Sequence, residues 1–187
     1  MSEDLRIIKT KNVIKETFIQ MVNELGYQNI TVKNLCEKAL INRNTFYLHY
    51  SDKDDLVKTL MKESIGYLKV NLQGSSFMGT IQITDYDLFQ LEVKKIVQAI
   101  NRDIELYRAV LVDEYLSGYF KILEFTFENY VINQLQLTHK KDLITIKYII
   151  YGIIGILGDW IVNDTASVDE TAVVLSKLIY DNINHLF

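Results

Sequence analysis

The sequence predicts an all-α protein, and three observations support this prediction. The 187 residues include no proline and only eight glycines, and proline is the residue that most strongly breaks a helix interior. Apolar side chains recur at spacings of three and four over most of the chain, which is the period of one helix face. Hydrophobic residues make up 49% of the chain, enough for a buried core at this length. We therefore expect two helical parts, residues 1–52 and residues 53–187.

The N-terminal part is predicted as three helices that end in a helix-turn-helix. A long first helix ends at Gly26, because glycine adopts the left-handed conformation that closes a helix. Thr31 can cap a short second helix, and Asn42 can cap a third helix from Arg43 to Tyr50. Two short helices joined by a tight turn have the geometry of a helix-turn-helix.

The third helix is expected to have one buried face and one exposed face. Phe46 and Tyr50 are four positions apart, so they share a face that we expect to be buried. The other side chains suit DNA, because arginine pairs with guanine, asparagine with adenine, and hydroxyl or imidazole groups reach phosphates. A lysine at the start of the next helix can hold a phosphate. The candidate DNA contacts on these grounds are Arg43, Asn44, Thr45, Tyr47, Leu48, His49 and Lys53.

The net charge of −4 does not exclude DNA, because the distribution of charge matters more than its sum. Residues 1–65 hold 10 basic and 9 acidic side chains, whereas the remainder holds 10 and 15. The acidic excess therefore lies in the second part, and the first part can present a basic face.

The string from Thr31 to Leu56, TVKNLCEKALINRNTFYLHYSDKDDL, resembles the DNA-binding domain of the TetR family of bacterial regulators. The T-F-Y-x-H-Y block followed by Lys53 is the most specific part, and the resemblance covers about residues 8–60. One departure is Leu40, where the family usually has glycine in the turn. A positive φ at this leucine costs on the order of 1 kcal/mol.

This resemblance implies several further properties of the chain. It places Thr31 near a phosphate and residues 42–49, beginning with Asn42, in the major groove of double-stranded DNA. It also implies that the second part is a ligand-binding and dimerisation domain with a pocket for a small organic effector. The function expected on this basis is a homodimeric, ligand-responsive repressor of a near-palindromic operator. A co-regulator that acts by protein–protein contact without an effector is the alternative.

The second part is rich in aromatic residues, which can line a ligand cavity between helices or simply fill a core. The sequence does not locate the pocket. The predicted effector-binding residues are Tyr107, Phe120, Phe127 and Tyr151.

The predicted helices at 141–163 and 168–186 are strongly apolar, and the first carries Gly152, Gly155 and Gly158. Glycine costs roughly 1 kcal/mol relative to alanine in a helix interior, so close packing by another helix is expected there. That helix can belong to the same subunit or to a second subunit, and the sequence leaves both possibilities open. A homodimer is expected in either case, because one recognition helix contacts only a few base pairs.

No pattern in the sequence indicates catalysis, a metal or a cofactor, and we do not expect an enzyme. Cys36 is the only cysteine and is expected in the core. The apolar run from Tyr148 to Leu157 is about half as long as a membrane span and is expected to be a core helix. The N-terminus lacks a signal-peptide pattern, so we expect a cytoplasmic protein.

Overall fold

The computed structural model describes residues 2–73, 85–135 and 139–184, and these residues form an all-α fold without strands. The predicted fold class is therefore confirmed, whereas the linker expected at 74–80 lies outside the described residues. The helices are α1 Ser2–Leu25, α2 Val32–Lys38, α3 Arg43–Tyr47, α4 Lys53–Gln73, α5 Tyr86–Arg102, α6 Ile104–Val112, α7 Ser117–Leu135, α8 Lys140–Asn163 and α9 Val168–Asn184.

The predicted helix ends of the helix-turn-helix are present. Gly26 follows α1 with a φ of 75°, a backbone conformation that side-chain-bearing residues rarely adopt. The Thr31 side chain caps α2 in a reciprocal capping box with Asn34, and the Asn42 side chain caps α3 by accepting the amide proton of Asn44.

The third helix is shorter than predicted, because α3 ends at Tyr47 instead of Tyr50. The His49 amide donates to the Phe46 carbonyl, three residues back, at 2.9 Å. This tighter turn ends the helix before α4 begins at Lys53, so His49 and Tyr50 are placed by a turn.

A single cluster of buried side chains joins the helix-turn-helix to the rest of the chain. Phe18 and Phe46 from the N-terminal part belong to the same cluster as Val110 and Trp160. Cys36 is also a member and is 2% exposed, as expected. The division at residues 52 and 53 therefore does not coincide with a gap in the core, and it stays a prediction.

Helix α8 has one buried face and one exposed face. The core face carries Ile146, Ile150 and Trp160, which agrees with the expectation of a core helix for that side. Among the described residues, α8 is the one helix long and apolar enough to cross a membrane, and 33% of its most apolar stretch is buried. Core helices of soluble proteins meet the same criterion.

Candidate DNA-binding surface and ligand cavity

Helix α3 divides into the two faces that the spacing predicts. Phe46 and Tyr50 are 0% and 2% exposed, and their rings lie 5.5 Å apart. Burial raises the pKa of Tyr50 to about 12, so its phenol stays neutral. Tyr47 and Leu48 point outward, with 54% and 80% of their surface exposed. Burial thus orients α3 and leaves its polar side chains toward solvent.

The other predicted DNA contacts surround this exposed face. Arg43 and Asn44 are exposed, whereas Thr45 and His49 are half-buried. Arg43 forms no ion pair within the described part of the chain, so its guanidinium is available to a base edge. Contact with DNA stays a prediction for all of these residues.

The two capping residues use part of their hydrogen-bonding capacity within the protein. Thr31 Oγ1 accepts from the Asn34 amide at 3.2 Å, which leaves its hydroxyl proton to donate to a phosphate. Asn42 Oδ1 accepts from the Asn44 amide at 2.8 Å, which leaves its side-chain amide group to donate. Both residues are exposed, so the capping role and the predicted contact are compatible.

Lys53 has an internal role that the sequence did not reveal. Its Nζ donates to the Tyr27 carbonyl at 3.0 Å and lies 4.2 Å from the centroid of the Tyr27 ring. Burial lowers the pKa of Lys53, an effect that Asp113 opposes. The ammonium group has three donors, so this lysine can hold α4 against the turn at Tyr27 and still approach a phosphate.

The turn between α2 and α3 has the positive φ that is expected where Leu40 stands in place of the glycine that the family usually has. Leu40 has a φ of 54° and is 92% exposed. Its side chain therefore gains no burial that would offset the strain of the left-handed conformation.

Two aspartates connect α6 to the DNA-binding part of the chain. Asp103 caps the start of α6 and Asp113 its end. Asp103 Oδ1 accepts from Lys15 Nζ of α1 at 2.5 Å, and Asp113 Oδ2 accepts from the Tyr27 amide at 2.7 Å. Helix α6 is thus tied to the helix-turn-helix domain at both of its ends.

The hydrogen bond between Asp103 and Lys15 belongs to a partly buried polar group, the Asp103 cluster, formed by Lys15, Ser64, Arg102, Asp103 and Tyr107. Besides Lys15, Arg102 donates to Asp103 Oδ2 at 2.7 Å and the Ser64 hydroxyl does so at 2.8 Å. Burial by itself raises the pKa of Asp103, but the hydrogen bonds from Lys15, Arg102 and Ser64 hold it below its usual value. The carboxylate is therefore charged and satisfied although its side chain is only 3% exposed.

A cavity of about 160 Å³ lies among α4, α5, α7, α8 and α9. Every lining side chain is apolar, and all but one are aliphatic. The lining residues are Leu68, Leu72, Val93, Ile96, Val97, Ile100, Leu123, Phe127, Val131, Leu135, Ile146, Ile149, Ile150, Ile153, Ile154, Leu157, Leu175, Ile179 and Ile183.

Of the four residues predicted to bind an effector, Phe127 alone lines this cavity. Tyr107 is buried in the Asp103 cluster, with its hydroxyl 2.7 Å from that of Ser64. Phe120 packs against the cluster that contains Phe18 and Trp160 and also against a second buried cluster that contains Val131 and Ile150. Tyr151 is 53% exposed and donates to Glu128 at 2.7 Å. The cavity lining could not be predicted from the sequence, because aliphatic residues at helical spacing form the same sequence pattern in a filled core and around a cavity.

The outer face of α8 is formed by Tyr148, Gly152, Gly155 and Gly158, with Tyr151 at its edge, where the Tyr151 hydroxyl donates to Glu128 of α7. A Cβ placed on any of the three glycines would have no atom within 4 Å. Among the residues that the structure describes, no atom packs closely against the three glycines, so close packing within the subunit, one of the two possibilities for this strip, is not seen there. On α9, Val173, Val174 and Leu178 are also 41–50% exposed.

The residues that the structure describes contain no group of three or more His, Cys, Asp or Glu side chains placed to hold a metal ion.

Comparisons with known proteins agree with the motif and the fold. Residues 19–60 match the family model described as bacterial regulatory proteins, tetR family. An uncharacterized HTH-type transcriptional regulator, YxbF of Bacillus subtilis (strain 168), is 25% identical over 161 residues. This alignment covers 82% of the present chain and 40% of YxbF, so the chain spans less than half of that relative.

Solved structures of similar fold extend the agreement to the whole chain. The dihydroxyacetone kinase operon activator DhaS is 17% identical with a TM-score of 0.62, covering 95% of this chain and 98% of that one. A TetR transcriptional regulator from Streptococcus agalactiae 2603V is 23% identical with a TM-score of 0.60, covering 100% and 98%. The fatty acid degradation regulator FadR from Bacillus halodurans is 16% identical with a TM-score of 0.64, covering 91% and 94%. Residues 19–60 are thus similar to the tetR family of bacterial regulatory proteins, in agreement with the motif, and the chain is similar in fold to these solved structures.

Proposed function

We propose that this protein is a sequence-specific DNA-binding transcription regulator that acts as a homodimer and responds to a small organic effector. The observation that carries the proposal is α3, whose buried Phe46 and Tyr50 turn Arg43, Asn44 and Tyr47 outward on one exposed surface. Such a helix fits the major groove, where arginine and asparagine discriminate between bases. The protein is not expected to be an enzyme, and it would act in the cytoplasm of a bacterium.

The outer face of α8 supports a homodimer. It is apolar and exposed, and its glycines allow the close approach of another helix. Two copies of α8 and α9 would bury these faces in a four-helix bundle across a two-fold axis. A two-fold dimer places its recognition helices about 34 Å apart, one turn of DNA, which corresponds to a near-palindromic operator.

The effector is assigned to the cavity, and two routes join the cavity to α3. Helix α4 contributes Leu68 and Leu72 to the cavity lining and begins at Lys53, beside the helix-turn-helix. Helix α6 is tied to that domain through Asp103 and Asp113, and its Arg108 donates to the Ile161 carbonyl of α8 at 2.7 Å. A ligand can shift DNA affinity only by its different affinity for the two arrangements of these helices.

The co-regulator without an effector has less support than the ligand-responsive regulator, because its second domain would be expected to be filled. The sign of regulation is a separate matter. DhaS, which shares the fold, is named an operon activator, so the fold is compatible with activation as well as with the repression expected from the sequence.

The test is selection of bound duplexes from random DNA by the purified protein. We expect enrichment of a near-palindrome with half-sites one helical turn apart, and affinity that falls as salt rises. Lys95 is an exposed basic residue on α5 and is remote from α3 in sequence. The variant Lys95→Ala therefore serves as the control and should select the same DNA site. Binding to all fragments with equal affinity would contradict the proposal.

A further inference from the structure

Three lysines of α4 line a surface groove between α4 and α7, which we call the lysine groove. Lys58, Lys62 and Lys69 lie within one face of the helix, since their spacings of four and seven residues are close to whole turns. The groove has a volume of about 450 Å³ and no acidic residue in its lining. The lining residues are Lys58, Met61, Lys62, Ile65, Gly66, Lys69, Tyr119, Ile122 and Thr126.

No ion pair compensates the positive charge of the lysine groove within the described residues, although Asp54 and Asp52 lie close enough to its Tyr119 to help burial raise the pKa of that phenol. Other lysines, such as Lys38, Lys94 and Lys147, each form an ion pair with a carboxylate within 2.9 Å. Lys58, Lys62 and Lys69 form none with any part of the chain that the structure describes. In a protein with a net charge of −4, three unpaired lysines over an apolar floor indicate a site for an anionic group.

The lysine groove and the apolar cavity lie on opposite sides of the same two helices. On α4, Leu68 faces the cavity and Lys69 faces the groove. On α7, Leu123 and Phe127 line the cavity, whereas Ile122 and Thr126 line the groove. A ligand that passed between α4 and α7 would therefore meet hydrocarbon on the inside and ammonium groups on the outside.

Lys69, at the far end of the groove, is remote from the candidate DNA-binding surface, whereas Lys58 at the near end is only five residues beyond Lys53. Lys69 lies 16 residues beyond Lys53, which is about 24 Å along the helix axis at 1.5 Å per residue. Phosphates of a duplex held by α3 and the start of α4 are thus out of its reach, and a different anion is needed.

We propose that the effector is an anionic amphiphile whose hydrocarbon part fills the cavity and whose charged group binds Lys62 and Lys69. A dry apolar cavity of about 150 Å³ is large enough for benzene, so about 160 Å³ suits a hydrocarbon segment of about six carbons. The cavity lining has no hydrogen-bond donor for an anion, and the exposed lysines cannot bury a hydrocarbon chain. The charged group and the hydrocarbon part of the ligand therefore each have one place to bind. The inference rests on the proposed role of the cavity as effector site.

The test uses three probes on the full-length protein in calorimetric titrations. Octyl phosphate carries both parts, 1-octanol carries the chain alone, and inorganic phosphate carries the anion alone. We expect octyl phosphate to bind at least tenfold more tightly than 1-octanol, and inorganic phosphate to bind weakest of the three. The advantage of octyl phosphate should shrink as salt rises, because the groove is exposed to solvent.

The variants separate the two halves of the site. Combining Lys62→Gln and Lys69→Gln should abolish the advantage of octyl phosphate and leave the affinity for 1-octanol unchanged, whereas Lys95→Gln on α5 should behave as wild type. Since all three positions are on the surface, folding is checked by the thermal midpoint, which should not change. Equal affinities of wild type for octyl phosphate and 1-octanol, an advantage that survives in the double variant, or no binding of octyl phosphate would each overturn the inference.

The DNA selection distinguishes this inference from the proposed function. A protein that selects a palindrome but does not bind octyl phosphate contradicts the amphiphile alone. A protein that binds octyl phosphate through Lys62 and Lys69 but selects no sequence contradicts the regulator and leaves the ligand site intact.

Discussion

Replacing Asp103 by asparagine would remove one negative charge from the Asp103 cluster while keeping the shape of the side chain. The carboxylate accepts from Lys15 at 2.5 Å and from Arg102 at 2.7 Å, and only 3% of its side chain is exposed. The amide of asparagine would still accept one hydrogen bond but would place its NH₂ group against donors. We therefore expect the variant to fold with lower stability.

The size of the expected stability loss depends on how exposed the side chains of Lys15 and Arg102 are. Breaking a fully buried ion pair costs about 3–5 kcal/mol, because the remaining charge is stranded. Here the side chains of Lys15 and Arg102 are 30% and 46% exposed, so both can regain water. The loss should therefore be about 1–3 kcal/mol, the range of hydrogen bonds to a charged group.

Urea unfolding measures this loss, and pH shows whether charge is the cause. The pKa of Asp103 is lower in the folded state than in the unfolded state, so the charged carboxylate stabilises the fold above the unfolded value near 3.9. That stabilisation disappears as pH falls through the folded-state pKa of Asp103. The difference in the free energy of unfolding between wild type and Asp103→Asn should therefore become smaller in this pH range. Equal protomer concentrations are needed, because a dimer gains stability by mass action.

The matched control is Glu24→Gln. Lys38 and Glu24 are also 2.5 Å apart, but their side chains are 34% and 47% exposed, and exposed pairs contribute little. Its unfolding midpoint should match that of wild type. If Asp103→Asn also unfolded as wild type does, or if its deficit persisted at low pH, burial of the charged carboxylate would not be the source of stability.

Three further variants test separate parts of the structure. Leu40→Gly should raise the unfolding free energy by about 0.5–1 kcal/mol, because relief of the left-handed strain exceeds the cost of the greater chain entropy of glycine in the unfolded state. Lower stability of the variant in urea unfolding would refute the idea that Leu40 is strained at its φ of 54°. Gly155→Arg should keep the helical circular dichroism, since a Cβ there meets no atom within 4 Å, yet sediment as a monomer; a dimeric variant would exclude this face as the interface. Tyr47→Ala should weaken binding to most DNA sequences alike while leaving stability unchanged, and a change in base preference instead would show that Tyr47 contacts bases.

Local signals were enough to predict the helix-turn-helix. The caps at Thr31 and Asn42 and the four-residue spacing of Phe46 and Tyr50 depend on neighbours in the chain, so they are visible in the sequence. The end of α3 was placed three residues too late, because the tighter turn at His49 is set by the position of α4.

Features that combine distant parts of the chain could not be predicted. Asp103 and Lys15 are 88 residues apart, and no spacing rule connects them. The cavity collects residues from five helices, and of the four residues predicted to bind an effector only Phe127 is part of its lining. The exposure of the outer face of α8 likewise depends on which helices pack around Gly155, and no local pattern in the sequence encodes that arrangement.

The central claim is that the exposed face of α3 contacts DNA bases, and selection from random DNA with Arg43→Ala tests it most directly. We predict that the variant selects the wild-type palindrome with relaxed preference at one position in each half-site, placed symmetrically, at a cost of about 1–3 kcal/mol per contact. Lys95→Ala should retain every preference. An Arg43→Ala protein with the same sequence preference as wild type would contradict the assignment of α3 as the base-contacting helix surface.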